Sequence, residues 1–155
     1  MSKVHQIDAS RLTIEKLEEV VFGGYTIELS EDAKSRIVAC RKFLDDKMQR
    51  AERPIYGINT GFGSLCDTTI SNEDLETLQK NLVMSHACGM GEEVPVDIVR
   101  LMLFLKAQGL SYGHSGSALT TVQRLVDFLN NDIYPVVFDQ GSLGASGDLA
   151  PLANM

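Results

Sequence analysis

The sequence predicts a mainly α-helical fold with a few short strands, and three observations lead to that prediction. Several segments repeat apolar residues at the three-to-four-residue spacing of an amphipathic helix. Residue types that cap or stop helices stand at the ends of these segments. The chain of 155 residues is 44% hydrophobic and 23% charged, which is typical of a globular domain that buries a real core. We therefore expect a single helical domain over residues 1–155.

Two helices are predicted near the start of the chain, with a short strand between them. Thr13 is placed to cap the first helix, and Gly23 and Gly24 end it. Residues 25–29 alternate weakly between apolar and polar side chains, which predicts the strand. Ser30 is placed to cap the second helix. The apolar stripes of the two helices are Ile14, Leu17 and Val21, and then Ala33, Ile37, Cys40, Leu44 and Met48.

Three more helices follow in the second part of the chain. Ser71 and Asp74 have the spacing of a capping box for the first of them, which Gly89 is expected to close. Pro95 suits the start of the next helix, residues 96–110, which is apolar on nearly every side and is predicted to lie inside a bundle. The helix that follows Ser71 has the apolar stripe Leu75, Leu78 and Leu82, continued by His86. The last predicted helix has the stripe Ala118, Val122, Leu125 and Leu129.

The charge balance and the cysteines argue against several classes of partner. A net charge of −7 offers no basic surface for nucleic acid or anionic lipid. The longest strongly apolar run, residues 101–105, is far too short to span a bilayer, and from the polar first residues we expect no leader sequence. From the charge and the short apolar run we expect no nucleic-acid or membrane partner. The three cysteines form no C-x-x-C pair, and with no leader expected we predict a reduced, cytoplasmic protein.

Glycine-rich loops raise the question of phosphate binding. Residues 56–64 lack the Gly-Lys-Ser/Thr ending of a nucleotide P-loop, so no lysine is placed to reach a phosphate. Residues 89–91 (GMG) lack the third glycine of a dinucleotide fingerprint, and Glu92 and Glu93 would repel a pyrophosphate. The sequence therefore predicts no nucleotide cofactor.

Serine-hydrolase and metal chemistry are also disfavoured. Residues 144–148 (GASGD) and 113–117 (GHSGS) each resemble a nucleophile elbow, but in both the second glycine follows the serine directly instead of standing two residues on. The three histidines, His5, His86 and His114, lie far apart and form no pair at helical spacing. We expect no metal site.

The tripeptide of Ala145, Ser146 and Gly147 can do chemistry with its own backbone. If a bend brings them together, the amide nitrogen of Gly147 can attack the carbonyl carbon of Ala145, and glycine permits such a bend. Loss of two waters, one of them from the Ser146 hydroxyl, would leave a five-membered ring with an exocyclic methylene. For a bare Ala-Ser-Gly a flexible turn is by far the more common interpretation, so the residues alone do not establish this chemistry.

Four segments in the same order resemble the aromatic amino acid ammonia-lyases. Residues 144–152 (GASGDLAPL) look like the cofactor-forming signature of that family, and residues 56–63 (YGINTGFG) are similar to its other hallmark loop. Residues 81–89 (NLVMSHACG) and 110–116 (LSYGHSG) match family patterns between those two. The resemblance begins at about Arg53 and continues to Met155.

The resemblance implies a fold, a cofactor and a base. The expected fold is the helical amino-terminal domain of the ammonia-lyase (fumarase/aspartase-like) fold, truncated before its long helical bundle. Ala145, Ser146 and Gly147 are expected to cyclise to 4-methylidene-imidazole-5-one (MIO), whose former Ser146 carbon captures the substrate. Tyr56 is expected to be the base that removes the β-proton, and since a phenol is a weak base at neutral pH, the site must stabilise its phenolate.

The resemblance also bears on the substrate. His86, Asn59 and Gly63 match substrate-binding positions of the family. Histidine and tyrosine lyases carry a histidine near position 86, whereas phenylalanine lyases tend to carry an aromatic residue. The residues around His86 and before Ser146 are closer to the histidine lyases, but Tyr112 stands where many of those carry arginine.

We therefore expect a histidine ammonia-lyase that releases ammonia from L-histidine and gives urocanate, as a homotetramer in its full-length form. A tyrosine ammonia-lyase or an aminomutase remains an alternative. A further alternative of another class is a catalytically inert domain with a structural or assembly role. We expect the 155-residue chain by itself to be inactive, because family members continue into helices that supply further active-site residues. We also expect it to self-associate, because the missing bundle helices would leave an apolar patch exposed.

Overall fold

The computed structural model describes residues 3–50, 53–142, 144 and 147–155, with Asn72 described by its backbone. Helices dominate, as the sequence predicts, and the strands are short. Two short 3₁₀ turns, Gly63–Leu65 and Asn72–Asp74, precede the third helix. The elements in chain order are β1 (Lys3–Ile7), α1 (Ile14–Phe22), β2 (Tyr25–Leu29), α2 (Glu31–Gln49), α3 (Leu75–His86), β3 (Met90–Glu93), α4 (Val96–Ser111), α5 (Leu119–Asn130), β4 (Phe138–Gln140) and α6 (Ala150–Ala153).

The contacts of the chain group into two compact units. Unit 1 comprises Met1–Lys47 and Pro95–Pro135, and unit 2 comprises Met48–Val94 and Val136–Met155. Each unit is therefore built from two separate stretches of chain, and each is described by itself below. The single domain over residues 1–155 stays a prediction.

Unit 1 contains a small parallel sheet beside a helical core. β1 and β2 pair in register from Lys3 opposite Tyr25 to Ile7 opposite Leu29, and α1 makes the connection between them. The predicted strand at residues 25–29 is confirmed, whereas its partner β1 was not predicted. The core joins this sheet to α1, α2, α4 and α5, and its buried apolar residues include Ile7, Val20, Ile27, Ile37, Leu103, Phe104, Val122 and Val126.

The Asn130 side chain at the end of α5 completes the outer edge of β2. Its carboxamide oxygen accepts the Ile27 N–H at 2.8 Å, and its amide nitrogen donates to the Ile27 carbonyl at 2.8 Å. One side chain thus supplies both hydrogen bonds that a neighbouring strand would otherwise make. This pairing ties β2 to a helix that lies 103 residues further along the chain.

Both predicted helix caps in unit 1 are confirmed. The Thr13 hydroxyl accepts the Lys16 N–H at 3.2 Å, and the Ser30 hydroxyl accepts the Ala33 N–H at 3.1 Å. In each case the side chain satisfies one of the amides that the first turn leaves without a partner. The predicted stripe of α1 is correct only in part, because Ile14 is 80% exposed.

The turn between α4 and α5 lies directly on α2. Gly113 and Gly116 both have positive φ angles, +74° and +67°, which side-chain-bearing residues rarely adopt. A Cβ on Gly113 would come within 2.8 Å of the Arg36 carbonyl oxygen, and one on Gly116 within 2.6 Å of Leu44. The close approach of this turn to α2 therefore depends on glycine at both positions.

α4 is buried along one side, not on every side as its composition predicts. Val99, Leu103, Phe104 and Ala107 face the core of unit 1, but Leu105 and Ile98 are nearly half exposed. An apolar composition does not fix which faces of a helix are covered. In this chain the covered faces are those that meet α5 and α1.

Unit 2 contains α3, α6 and the antiparallel pair of β3 and β4. Two sequence predictions in this unit are corrected. The Ser71 hydroxyl donates to the Asp74 carboxylate at 2.8 Å instead of capping a backbone amide. The 3₁₀ turn Asn72–Asp74 precedes α3. α3 ends at His86 and not at Gly89, which instead packs against Phe138 and the Asn154 side chain.

Two further properties concern the described part of the chain as a whole. None of its helices is both long and apolar enough to cross a bilayer. Within the same residues, no three or more histidine, cysteine, aspartate or glutamate side chains are grouped closely enough to hold a metal ion. The three cysteines, Cys40, Cys66 and Cys88, are all free thiols.

We predict that Asn130→Ala lowers the free energy of unfolding by about 1–2 kcal/mol, because it removes both partners of the Ile27 backbone. Amide hydrogen exchange at Ile27 should speed up together with the loss in a denaturant titration. Asn131→Ala is the matched control, since within the described residues the Asn131 side chain, at the C-cap of α5, donates to the Asp127 carbonyl of that same helix and does not reach β2. It should cost about 0.5 kcal/mol or less. Equal losses in the two variants would contradict this role of Asn130.

Candidate active site

The YGINTGFG loop is held together by its own short side chains. The Asn59 carboxamide oxygen accepts the Ile55 N–H at 2.7 Å, and Asn59 is 6% exposed. The fully buried Thr60 hydroxyl oxygen accepts the Gly57 N–H at 3.2 Å, and the same hydroxyl donates to the Gly61 carbonyl at 2.9 Å. These bonds satisfy amides that no helix or strand serves, so the loop has a defined shape.

Three aromatic side chains make a row that joins this loop to the end of α3. The Tyr56 and Phe62 rings meet edge to face, with centroids 5.4 Å apart and an interplanar angle of 77°. Phe62 meets the His86 ring in the same way, at 6.2 Å and 87°. Gln79 of α3 adds a polar tie, donating to the Ile58 carbonyl at 3.4 Å. The phenol and the imidazole that the sequence singles out are therefore brought together through Phe62.

The hydrogen bonds of His86 fix its tautomer. Its Nδ1 lies 2.6 Å from the Leu82 carbonyl oxygen, which can only accept, so Nδ1 carries the proton. The Ser85 hydroxyl donates to the same carbonyl at 2.8 Å and lies 3.2 Å from Nδ1. In the neutral ring, Nε2 is then the nitrogen with the lone pair, and it can accept a hydrogen bond from a ligand.

Two of the three residues of the predicted cofactor-forming tripeptide, Ala145 and Ser146, lie outside the described residues. The third, Gly147, has a φ of +114°, and a Cβ built on it would meet no atom of the other described residues within 4 Å, its chain neighbours aside. Its N–H donates to the Gly144 carbonyl at 3.3 Å, which holds these two glycines close together. The backbone of Gly147 thus has a conformation that glycine adopts more readily than any other residue.

The Asp148 carboxylate ties together the chain on both sides of the tripeptide. One oxygen accepts the Ser142 N–H at 2.9 Å and the Ala150 N–H at 3.0 Å, and the Ser142 hydroxyl lies 3.4 Å away. The backbone amide of Ala150, followed by that of Ser142, holds the pKa of Asp148 below its ordinary value. A Cβ on Gly141 would collide with this carboxylate and with Ala150, so glycine is needed there as well.

The other two predicted site residues, Asn59 and Gly63, belong to the YGINTGFG loop. Asn59 turns its carboxamide oxygen to the loop backbone, and Gly63, with a φ of +57°, begins the 3₁₀ turn Gly63–Leu65. Phe62 and Thr60 are structural members of the site that the sequence reasoning did not single out. The repeated glycines around Phe62 were the available signal, because they leave space for a large ring beside the backbone.

A family model described as "Aromatic amino acid lyase" matches residues 12–155. The chain belongs to the aromatic amino acid lyase family. Among curated relatives in this family, the histidine ammonia-lyase of Clostridium tetani is 47% identical over 144 residues, which cover 93% of this chain and 28% of the relative. The histidine ammonia-lyase of Alkaliphilus oremlandii is 46% identical over 155 residues, which cover 100% of this chain and 30% of the relative. The chain thus spans less than a third of the length of these two lyases.

A solved lyase structure shares the fold. The crystal structure of histidine ammonia-lyase from Trypanosoma cruzi superposes with a TM-score of 0.81 at 37% identity, over 98% of this chain and 28% of that one. The expected fold, the helical amino-terminal part of an ammonia-lyase, is therefore confirmed. This solved lyase, like the two curated lyases above, is more than three times as long as the present chain.

We predict that the Ser142 and Ala150 amide resonances titrate together with the Asp148 carboxyl. Because its pKa is lowered in the folded protein, its stabilising contribution is complete above the unfolded value of about 4 and is lost as the pH falls through the folded pKa. An NMR titration should place the common midpoint below about pH 4. In Asp148→Asn both amides should lose this transition. A midpoint above about pH 4 in the unmodified protein would contradict the ties to Ser142 and Ala150.

Proposed function

We propose that the full-length protein that carries this chain eliminates ammonia from L-histidine and gives urocanate. The observation that carries the proposal is the row of Tyr56, Phe62 and His86, which places a phenol and an imidazole on one loop-and-helix unit. Membership in the aromatic amino acid lyase family and the identity with histidine ammonia-lyases support it. Residues outside this chain complete the site in this proposal.

The cofactor in this proposal is MIO, formed from Ala145, Ser146 and Gly147. The described surroundings fit ring closure, since Gly147 has a conformation suited to glycine and Asp148 holds the flanking backbone together. When formed, the group supplies an electrophile that the standard side chains lack. The other functions of the site belong to ordinary side chains.

Tyr56 is the proposed base. As the phenolate, its oxygen takes the β-proton of the substrate and becomes the neutral phenol, the electron pair of that C–H bond forms the new double bond, and the Cα–N bond breaks to release ammonia. Tyr56 is 61% exposed in this chain. Elimination of this kind is redox-neutral and needs no further reactant.

Substrate binding is assigned to His86, Asn59 and Gly63. The Nε2 of His86 accepts a hydrogen bond from the substrate, because its Nδ1 is committed to the Leu82 carbonyl. Since the Asn59 oxygen bonds to Ile55, its amide nitrogen is the group left for the substrate. The backbone of Gly63 lines the same loop.

The wider setting is also part of the proposal. We propose a reduced, cytoplasmic enzyme that assembles as a homotetramer and needs no metal or nucleotide, while the 155-residue chain alone is inactive. A tyrosine ammonia-lyase or aminomutase would use the same cofactor, and a histidine near position 86 is compatible with either. An inert domain with only a structural role is the alternative of another class.

We predict that the purified full-length protein produces urocanate from L-histidine without added metal or cofactor. The appearance of urocanate absorbance and the release of ammonia should be followed in one assay, with L-tyrosine as the competing substrate. Faster turnover of L-tyrosine would replace the histidine assignment with the tyrosine alternative. The present chain, assayed in parallel, should release no ammonia, and its intact mass should show no loss of water.

We predict different losses for two substitutions in the full-length enzyme. Ser146→Ala removes the leaving hydroxyl, so intact mass should show no dehydration and activity should vanish. Tyr56→Phe should keep the dehydrated mass while kcat falls by about 100-fold or more, since it deletes only the base. Normal turnover by Tyr56→Phe would mean that another group takes the β-proton.

A further inference from the structure

We propose that Phe62 is a positioning residue, which sets the separation and relative orientation of Tyr56 and His86. The inference rests on the proposed function, because it gives Phe62 a task in that same site. Phe62 is not one of the residues assigned above to the base, the cofactor or the substrate contacts. Its role would be to act on the reaction through the two rings that it touches.

The geometry that supports the inference is a double contact on one ring. Phe62 meets Tyr56 at 5.4 Å and 77° and meets His86 at 6.2 Å and 87°, both within the range of favourable edge-to-face pairs. Within the described residues, Phe62 is the aromatic side chain that the Tyr56 ring meets. A change in the Phe62 ring would therefore be transmitted to Tyr56 and to His86 together.

Phe62 is itself held in place by the loop backbone. Its ring edge packs over Gly57, where an added Cβ would lie only 2.9 Å from the nearest ring carbon. Gly57 has a φ of +69° and donates its N–H to the buried Thr60 hydroxyl. The ring therefore rests on a backbone segment that is both bare of side chain and fixed by a hydrogen bond.

The His86 side of the contact is restrained by a hydrogen bond from one ring nitrogen. His86 is the last residue of α3, and its Nδ1 is tied to the Leu82 carbonyl one turn earlier. The ring can still turn about its own bonds, and Phe62 limits that freedom by meeting it nearly at right angles. A branched aliphatic side chain of similar size has no planar edge or face, so it cannot reproduce either orientation.

We predict that Phe62→Leu in the full-length enzyme lowers kcat/KM for L-histidine on the order of 10- to 100-fold, the range expected when reacting groups are misplaced. Phe62→Tyr keeps the ring and should retain most of the activity. Intact mass should show that the tripeptide of Phe62→Leu is dehydrated as in the wild type. Phe43→Leu is the matched control: Phe43 is 68% exposed in unit 1 and has no place in the proposed site, so this variant should keep wild-type rates.

A double-mutant cycle separates positioning from general destabilisation. In a Tyr56→Phe background, Phe62→Leu should cost far less than it costs alone, because the base that it positions is already absent. Additive losses would overturn the inference. So would Phe62→Tyr being as impaired as Phe62→Leu.

Crystal structures of the full-length wild type and of Phe62→Leu decide the matter without any assay. The Tyr56 and His86 rings should shift or lose order in the variant, and rings that stay within about 0.5 Å of their wild-type positions would overturn the inference. If the wild type failed to turn over L-histidine, the proposed function would fall, while this comparison would still test what Phe62 does.

Discussion

Backbone amides in the two glycine-rich loops find their acceptors in short polar side chains of the same loops. Asn59 and Thr60 serve the YGINTGFG loop, and Asp148 serves the segment around the tripeptide. Glycine gives these loops their sharp turns, but it also leaves their amides without the partners that a helix or sheet provides. Everything proposed for Tyr56 and Gly147 depends on loops whose shape these few bonds determine.

Much of unit 1 follows from signals that act over a few residues. Thr13 and Ser30 cap helices because their hydroxyls reach amides only three positions on. β1 was not foreseen, and it became apparent only through its pairing with β2. Ser71 was misread for a related reason, because the spacing of a capping box does not reveal that the hydroxyl will choose a carboxylate.

In the candidate site too, the sequence predicted individual residues but not the contacts between them. The two long motifs pointed to Tyr56 and to residues 145–147 through their resemblance to a family, and His86 came from a third segment. Phe62 is part of the first motif, but its role was not predicted. Its contact with His86 arises only when the loop packs against the end of α3. A motif identifies chemical groups, whereas their mutual orientation is a property of tertiary packing.

The pairing of Ile27 with Asn130 has a consequence for biosynthesis. Because 103 residues separate the two, a ribosome adding 5–20 residues per second needs about 5 to 20 s to deliver the side chain that closes the β2 edge. Until then the nascent chain presents an open strand edge, which can pair with a strand of another molecule. During translation the edge of β2 therefore stays open until α5 has been made.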